Sequence, residues 1–231
     1  MKLKHITFTG IDTQTDISRL EKIQERWPLA EFGVLTSYHW YENGRRYLNP
    51  QFFSRFWGSR LNLSLHICGS AAHDAACGLW NRINKHTIQC LPLFKRVQIN
   101  VADRSDNPLR VASTPNRSTE LIIQQRDRNN TWLYNRSAWM DGVSMLLDAS
   151  GGRGIDTPID PLLGVRKVGY AGGITPENVA DKLAYLMANC EYPGYGEYWI
   201  DMESGVRTDE WFDLDKVEQV LIACEEVYKQ Y

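Results

Sequence analysis

The sequence predicts an α/β fold, an eightfold (β/α) barrel of the TIM type in a single domain spanning 1–231, and three observations lead there. The chain has 231 residues, within the ~200–250 that such barrels occupy as one domain. Eight short apolar runs recur along it, separated by mostly helical or turn-forming stretches. Most of these runs lack strict alternation, as expected of parallel strands covered on both faces. An open doubly wound sheet is the structural alternative.

In chain order, the predicted strands are His5 to Phe8, Glu31 to Thr36, Leu61 to Ile67, Arg96 to Val101, Glu120 to Gln125, Val143 to Leu147, Lys167 to Tyr170 and Tyr198 to Met202. Asp16 to Arg26 reads as the first helix, with Ile17, Leu20 and Ile23 facing inward. Ala71 to Lys85 reads as another. The clearest helix start is Thr175-Pro176-Glu177-Asn178, where Thr175 suits the N-cap and Pro176 the first turn. Val179, Leu183 and Leu186 share one face of the helix that follows. Asp213 to Tyr228 reads as a terminal helix with Leu214, Val217, Val220, Leu221 and Cys224 as its apolar stripe. Asp103 to Ser118 is too polar and proline-broken for a full helix and reads as a long loop.

Composition narrows the functional classes. The chain is 43% hydrophobic and 23% charged, which fits a packed globular core. With 26 Lys plus Arg against 28 Asp plus Glu, its net charge of −2 offers no global basic field for nucleic acid or anionic lipid. Any anionic ligand must be held by local geometry. No apolar run reaches the ~20 residues of a membrane helix, and the start turns polar too early for a secretory signal. A cytoplasmic protein is expected, with no nucleic acid or membrane partner. Its 5 cysteines, odd in number and irregularly spaced, read as buried or free thiols.

In such barrels, function sits at the C-terminal strand ends and in the loops that follow. Candidates are therefore Thr9 and Asp12 after the first strand, Arg45 and Arg46 after the second, Asp148 ending the sixth, Gly172 and Gly173 after the seventh, and Asp201 to Arg207 at the eighth. The glycine-bearing turns after strands seven and eight, Gly172-Gly173 and Ser204-Gly205, stand where barrels commonly bind phosphate.

Other constellations are weaker. His66, Cys68, His73 and Cys77 match no standard zinc spacing, and Asp156 and Asp160 read as solvated loop carboxylates, so no metal and no cofactor is expected. The aromatic stretch from His39 to Trp57 is compatible with a ligand pocket, helix packing or a dimer contact. Monomer and homodimer both remain open. Arg104, Arg110 and Arg117 alternate with acidic residues and read as a solvated face.

The stretch from Val168-Gly169-Tyr170-Ala171-Gly172-Gly173-Ile174-Thr175-Pro176-Glu177-Asn178-Val179 through Trp199-Ile200-Asp201-Met202-Glu203-Ser204-Gly205-Val206 to Asp213–Val217 resembles the last quarter of the phosphoribosylanthranilate isomerases, which read SGGLxPENV and then VDxSSGVE. Leu146-Leu147-Asp148 resembles that family's LLD, Gly151 to Gly154 its GGSG loop, and Arg46-Tyr47-Leu48-Asn49-Pro50 its RYxSP. The resemblance runs in order from about residue 5 to 224 and is strongest from residue 143 onward.

The resemblance implies a barrel that performs an Amadori rearrangement in tryptophan biosynthesis, an intramolecular oxidoreduction turning an aminoaldose phosphate into an aminoketose. It implies Asp148 as general acid and Arg46 as partner of the anthranilate carboxylate. Gly172, Gly173, Ser204 and Gly205 become the phosphate cradle, and Asp201 an aspartate beside the substrate amine. Thr9 stands where the family's KICGIT carries its general base, a cysteine, and a lone threonine hydroxyl is too weak a base for a carbon-bound proton.

Asp12 is one replacement base, because Gly10-Ile11-Asp12 resembles the AID-like first strand of related histidine-pathway isomerases; its alternative is a helix-capping role. The family's QLHG becomes Gln98-Ile99-Asn100-Val101. Its SSGVE becomes Glu203-Ser204-Gly205-Val206-Arg207, with a carboxylate where an anion approaches. Three functions follow as expectations: an aldose–ketose isomerase on a phosphorylated aminosugar, a non-catalytic phosphosugar-binding or interaction protein, or an enzyme acting on another phosphosugar.

Overall fold

The computed structural model describes residues 2–39, 45–100, 118–125, 142–162, 165–190 and 196–230. Eight parallel strands close into a barrel in sequence order: β1 (Lys2–Thr9), β2 (Ala30–Thr36), β3 (Leu63–Cys68), β4 (Arg96–Asn100), β5 (Glu120–Gln125), β6 (Val143–Asp148), β7 (Lys167–Ala171) and β8 (Glu197–Met202). Closure is between β1 and β8, where Thr7 pairs with Asp201. All eight strands lie where the apolar runs predict them. Complete burial of β2 explains why that run shows no simple alternation of apolar and polar residues.

The helices follow local chemistry. Asp16 caps α1 (Ile17–Arg26) by accepting from the amides of Ser18 and Arg19, and Leu20 and Ile23 are buried. Thr175 starts a turn ahead of α4 (Val179–Cys190), its hydroxyl accepting from the Glu177 amide at 3.3 Å. Asp213 caps α5 (Leu214–Gln230), whose buried face is the expected stripe extended by Val227.

The expected helix Ala71 to Lys85 is instead three pieces: α2 (Gly69–Ala76), a 3-10 turn at Trp80–Arg82, and α3 (Lys85–Cys90). Gly78, at φ +75°, takes the left-handed conformation that ends α2, and Asn84 restarts a helix by accepting from the His86 amide at 2.8 Å. The connection after β2 carries a 3-10 segment, Pro50–Phe56, that buries Phe53 and Phe56. Phe53 meets Phe94 edge-on at 5.5 Å between centroids, so that part of the aromatic stretch is packing. The predicted loop Asp103 to Ser118 and its arginines lie outside the described residues, apart from Ser118.

The barrel interior is polar at both ends. Near the strand starts, the Arg96 guanidinium donates to Glu31 Oε1 at 2.9 Å and lies 4.1 Å above the Trp199 ring. These contacts join β4 to β2 and to β8, strands that are not neighbours, so they pass through the middle of the barrel. Ile122, Leu146 and Trp199 form an apolar plug, separate from the main core. Trp199 occupies the space that a side chain at Gly169 would need. Above the plug, the barrel opens into a cavity. No described helix is long and apolar enough to cross a membrane.

Candidate active site

The cavity, of about 750 Å³, lies at the C-terminal strand ends, and each of β1, β3, β4, β5, β6, β7 and β8 contributes to its lining. Its floor is a chain of buried polar side chains. Thr9 donates to Asp201 Oδ1 at 2.8 Å, and Gln98 Nε2 donates to Asp201 Oδ2 at 3.3 Å. Gln98 Nε2 also stands 3.0 Å from His66 Nδ1, and Ser64 Oγ stands 3.0 Å from His66 Nε2. Gly33 makes this convergence possible: a Cβ there would sit 2.6 Å from Thr9 Oγ1 and 3.0 Å from His66 Nε2.

Electrostatics divide the floor. Burial raises the Asp201 carboxyl to about 7, against the pull of the Thr9 and Gln98 hydrogen bonds and with help from the charges of Glu31 and Asp148. Burial pushes His66 down to about 4, so its ring is neutral. Cys68, which lines the cavity at the end of β3, is driven up to about 12 by burial and then by the charge of Glu203. Its thiol is therefore held in the protonated form.

Asp148 lies across the mouth with all four lone-pair positions engaged. Its Oδ1 accepts from the amide and hydroxyl of Ser150 at 3.1 and 2.7 Å, and its Oδ2 from Gln124 Nε2 at 2.7 Å and the Gly152 amide at 2.5 Å. The carboxylate thus organises the loop after β6. That loop runs over the glycine turn after β7: a side chain at Gly173 would enter the backbone of Ile155 and Asp156, and one at Gly172 would meet Thr157. Lys182 holds the loop down through Asp156 Oδ1 at 2.7 Å and the Thr157 carbonyl at 2.8 Å. Gly172, Gly173, Ser204 and Arg153 all line the cavity there. The Arg153 Nε donates to the Ser150 carbonyl at 2.8 Å.

Two expected site residues are elsewhere. Asp12 is buried but does not line the cavity: Oδ1 accepts from the Gln14 amide and Thr15 hydroxyl, and Oδ2 from the Phe212 amide at 2.7 Å. It ties the loop after β1 to the hairpin of β9 (Arg207–Thr208) and β10 (Trp211–Phe212). It is not the cap of α1, a role taken by Asp16. Gly205 is likewise not a lining residue. A side chain there would strike the Ile174 carbonyl, so its role is to let the turns after β7 and β8 pack together.

Arg46 does reach the cavity, but already paired. Glu203 takes it side-on, with Oε1 2.7 Å from Nε and Oε2 3.1 Å from Nη2. Burial disfavours the Arg46 charge, yet the net shift is upward because Glu203, together with Tyr47 and Cys68, outweighs it. Arg207 lies beside the pair and donates to the carbonyls of Gly10 and Glu210 at 3.1 and 2.6 Å. The sequence reading missed Gln124 and the role of Gln98, and it weighed His66 only as a metal-type ligand. Their signal is a run of polar residues at every second position of otherwise apolar strands: Ser64, His66 and Cys68 on β3, and Arg96, Gln98 and Asn100 on β4. Among the described residues, no group of three or more His, Cys, Asp or Glu is placed to hold a metal ion.

No protein-family model matches the chain, and no curated protein matches it. Solved structures do. The N-(5'-phosphoribosyl)anthranilate isomerase of Pyrococcus furiosus aligns over 96% of this chain and 98% of its own, with 15% identity and a TM-score of 0.53. A phosphoribosylanthranilate isomerase in complex with reduced 1-(o-carboxyphenylamino)-1-deoxyribulose 5-phosphate aligns over 98% of this chain and 100% of its own, with 14% identity and a TM-score of 0.60. At such identities the likeness carries the barrel fold.

Proposed function

We propose that the chain is an Amadori-type aldose–ketose isomerase acting on a phosphorylated aminosugar, with Asp201 as the base at the position where Thr9 alone falls short. One observation carries this reading. A buried carboxyl with a pKa of about 7, accepting a hydrogen bond from Thr9 at 2.8 Å, lies on the floor of a cavity of substrate size. A base poised near neutrality accepts and releases a proton with little penalty.

The reaction asks for two proton transfers to the sugar. Protonation of the ring oxygen opens the ring to an imine at C1. Removal of the C2 proton then gives an enolamine, which gains a proton at C1 and loses that of its C2 hydroxyl, leaving a ketone at C2. Asp201 takes the C2 proton and is placed to return it to the adjacent carbon, while Thr9 and Gln98 fix its orientation. Asp148 is the second carboxyl on the cavity and the proposed donor to the ring oxygen; it takes up a proton in place of one of its four accepted hydrogen bonds, gives it to the ring oxygen, and recovers one from the C2 hydroxyl as the ketone forms. Gly172, Gly173, Ser204 and Arg153 supply the phosphate end, where backbone amides freed by glycine and a guanidinium suit a phosphate.

A second reading, a phosphosugar-binding protein without turnover, is favoured by the closed Arg46–Glu203 pair. The test is to follow conversion of the phosphoribosylated amines of anthranilate and of aniline to their deoxyribulose phosphates. Protein-dependent conversion of either, reduced about 10³-fold by Asp201→Asn with binding retained, supports the isomerase. No conversion of either by the wild type, with a reduced product analogue still bound, establishes the second reading.

A further inference from the structure

Within the cavity, positive and negative groups are not evenly spread. The phosphate end presents Arg153 and two glycine turns, beside Asp148, whose carboxylate is held by its own loop. Toward the loops after β1 and β2, Glu203, Asp209 and Glu210 stand with Arg46 and Arg207, which already meet protein oxygens: Arg46 the Glu203 carboxylate, and Arg207 the Gly10 and Glu210 carbonyls. Glu203 occupies Arg46 through both of its carboxylate oxygens, the geometry that a carboxylate on a ligand would otherwise use. Its negative field reaches further, helping to push up the Cys68 thiol and, after burial and Cys68 itself, the Tyr47 hydroxyl.

Resting on the sugar-phosphate reading above, we propose that Glu203 is a specificity-determining residue: it stands in for a ligand carboxylate on Arg46, so the site takes a phosphosugar whose group remote from the phosphate is uncharged or cationic. An incoming carboxylate would have to displace Glu203 and leave two like charges side by side in a half-buried mouth, an unfavourable exchange. A neutral or cationic group keeps the Arg46–Glu203 pair intact.

The test uses two probes: reduced 1-(o-carboxyphenylamino)-1-deoxyribulose 5-phosphate, and the same molecule with a plain phenylamino group, each titrated calorimetrically into the wild type, Glu203→Gln and Glu203→Ser. The wild type is expected to bind the uncarboxylated probe about ten-fold or more tightly than the carboxylated one, and both variants to narrow or reverse that ratio. Equal binding of the two probes by the wild type, or a preference for the carboxylated probe, overturns the proposal while leaving the sugar-phosphate reading intact. A wild-type preference that neither variant changes also overturns the role of Glu203. Failure of both probes to bind any of the three proteins overturns the sugar-phosphate reading and this proposal together.

Discussion

The two ends of the barrel interior are built from the same kinds of residue and do opposite things. At the strand starts, Arg96 and Glu31 are both almost fully buried and answer each other at 2.9 Å, with Thr7 donating to the same Glu31 oxygen and Lys167 meeting Glu120 at 3.2 Å. At the strand ends, Asp201 is nearly as buried as these, yet its hydrogen-bond partners are a hydroxyl and an amide, and among the described residues no cation figures in what sets its charge state. At the lower end burial leaves charge matched within the barrel, even though Arg96 Nε and Nη2 find no hydrogen-bond partner among the described residues. At the upper end it moves a carboxyl to about 7. The contrast shows how one scaffold separates the groups that hold it together from those left able to exchange protons.

The largest effect that breaks the contrast is at the lower end. Arg96→Met keeps the bulk over Trp199 but strands Glu31, and is expected to destabilise the fold by about 3–5 kcal/mol in denaturant unfolding. Affinity for a sugar phosphate should be unchanged in the folded fraction. Adding Glu31→Leu to this variant should restore much of the loss, since an apolar pair replaces an ion pair at little cost. If the double variant is weaker than the single one, Glu31 has a role besides pairing with Arg96.

How far this was legible in advance follows the range of each interaction. The eight strands were legible because an apolar run carries its own signal within a few residues, and the caps at Asp16 and Asp213 were within reach for the same reason. The break in the expected Ala71 to Lys85 helix was also local: Gly78 and Asn84 are a stop and a start that apolar spacing alone passes over. Asp12 was out of reach, because its partner is the amide of Phe212, 200 positions along the chain. Glu203 was legible as a carboxylate near the anion's path. Its side-on grip on Arg46 depends on how β2 and β8 bring their loops together across the barrel mouth. Asp201 was legible as a position but not as a chemical state, since burial and its partners set that state.

A smaller effect sharpens the upper half of the comparison. The Asp201 carboxyl is raised from 3.8 to about 7 in the folded protein. Between those values the folded state holds a proton that the unfolded state has released, so stability falls as pH rises from about 4 to about 7 and stays lower above that. Asp201→Asn removes the dependence: near pH 4 it should match the wild type, and at pH 8 it should be more stable by about 1–3 kcal/mol. Thermal unfolding followed across that range checks the sign. A variant that loses stability equally at both ends of the range would show that the carboxylate is a structural partner for Thr9 and Gln98 instead of a strained, proton-exchanging group.

The smallest effect asks whether the lower end depends on charge itself or on charge out of water. Lys4 and Glu197 lie at the same end of the barrel and meet at 3.0 Å, close to the separation of the Arg96–Glu31 pair, but their side chains are 42% and 38% exposed against 3% and 2%. In water the attraction is screened, and either partner is rehydrated at once when the other is removed. Lys4→Ala is therefore expected to change stability by no more than about 0.5 kcal/mol, and raising the salt concentration should erase what remains. Set beside Arg96→Met, this pair holds distance and charge type nearly constant while changing access to solvent. A Lys4→Ala loss comparable to that of Arg96→Met would mean that burial is not what separates the two, and the account of the upper end, where burial is the main cause that carries Asp201 to about 7, would fall with it.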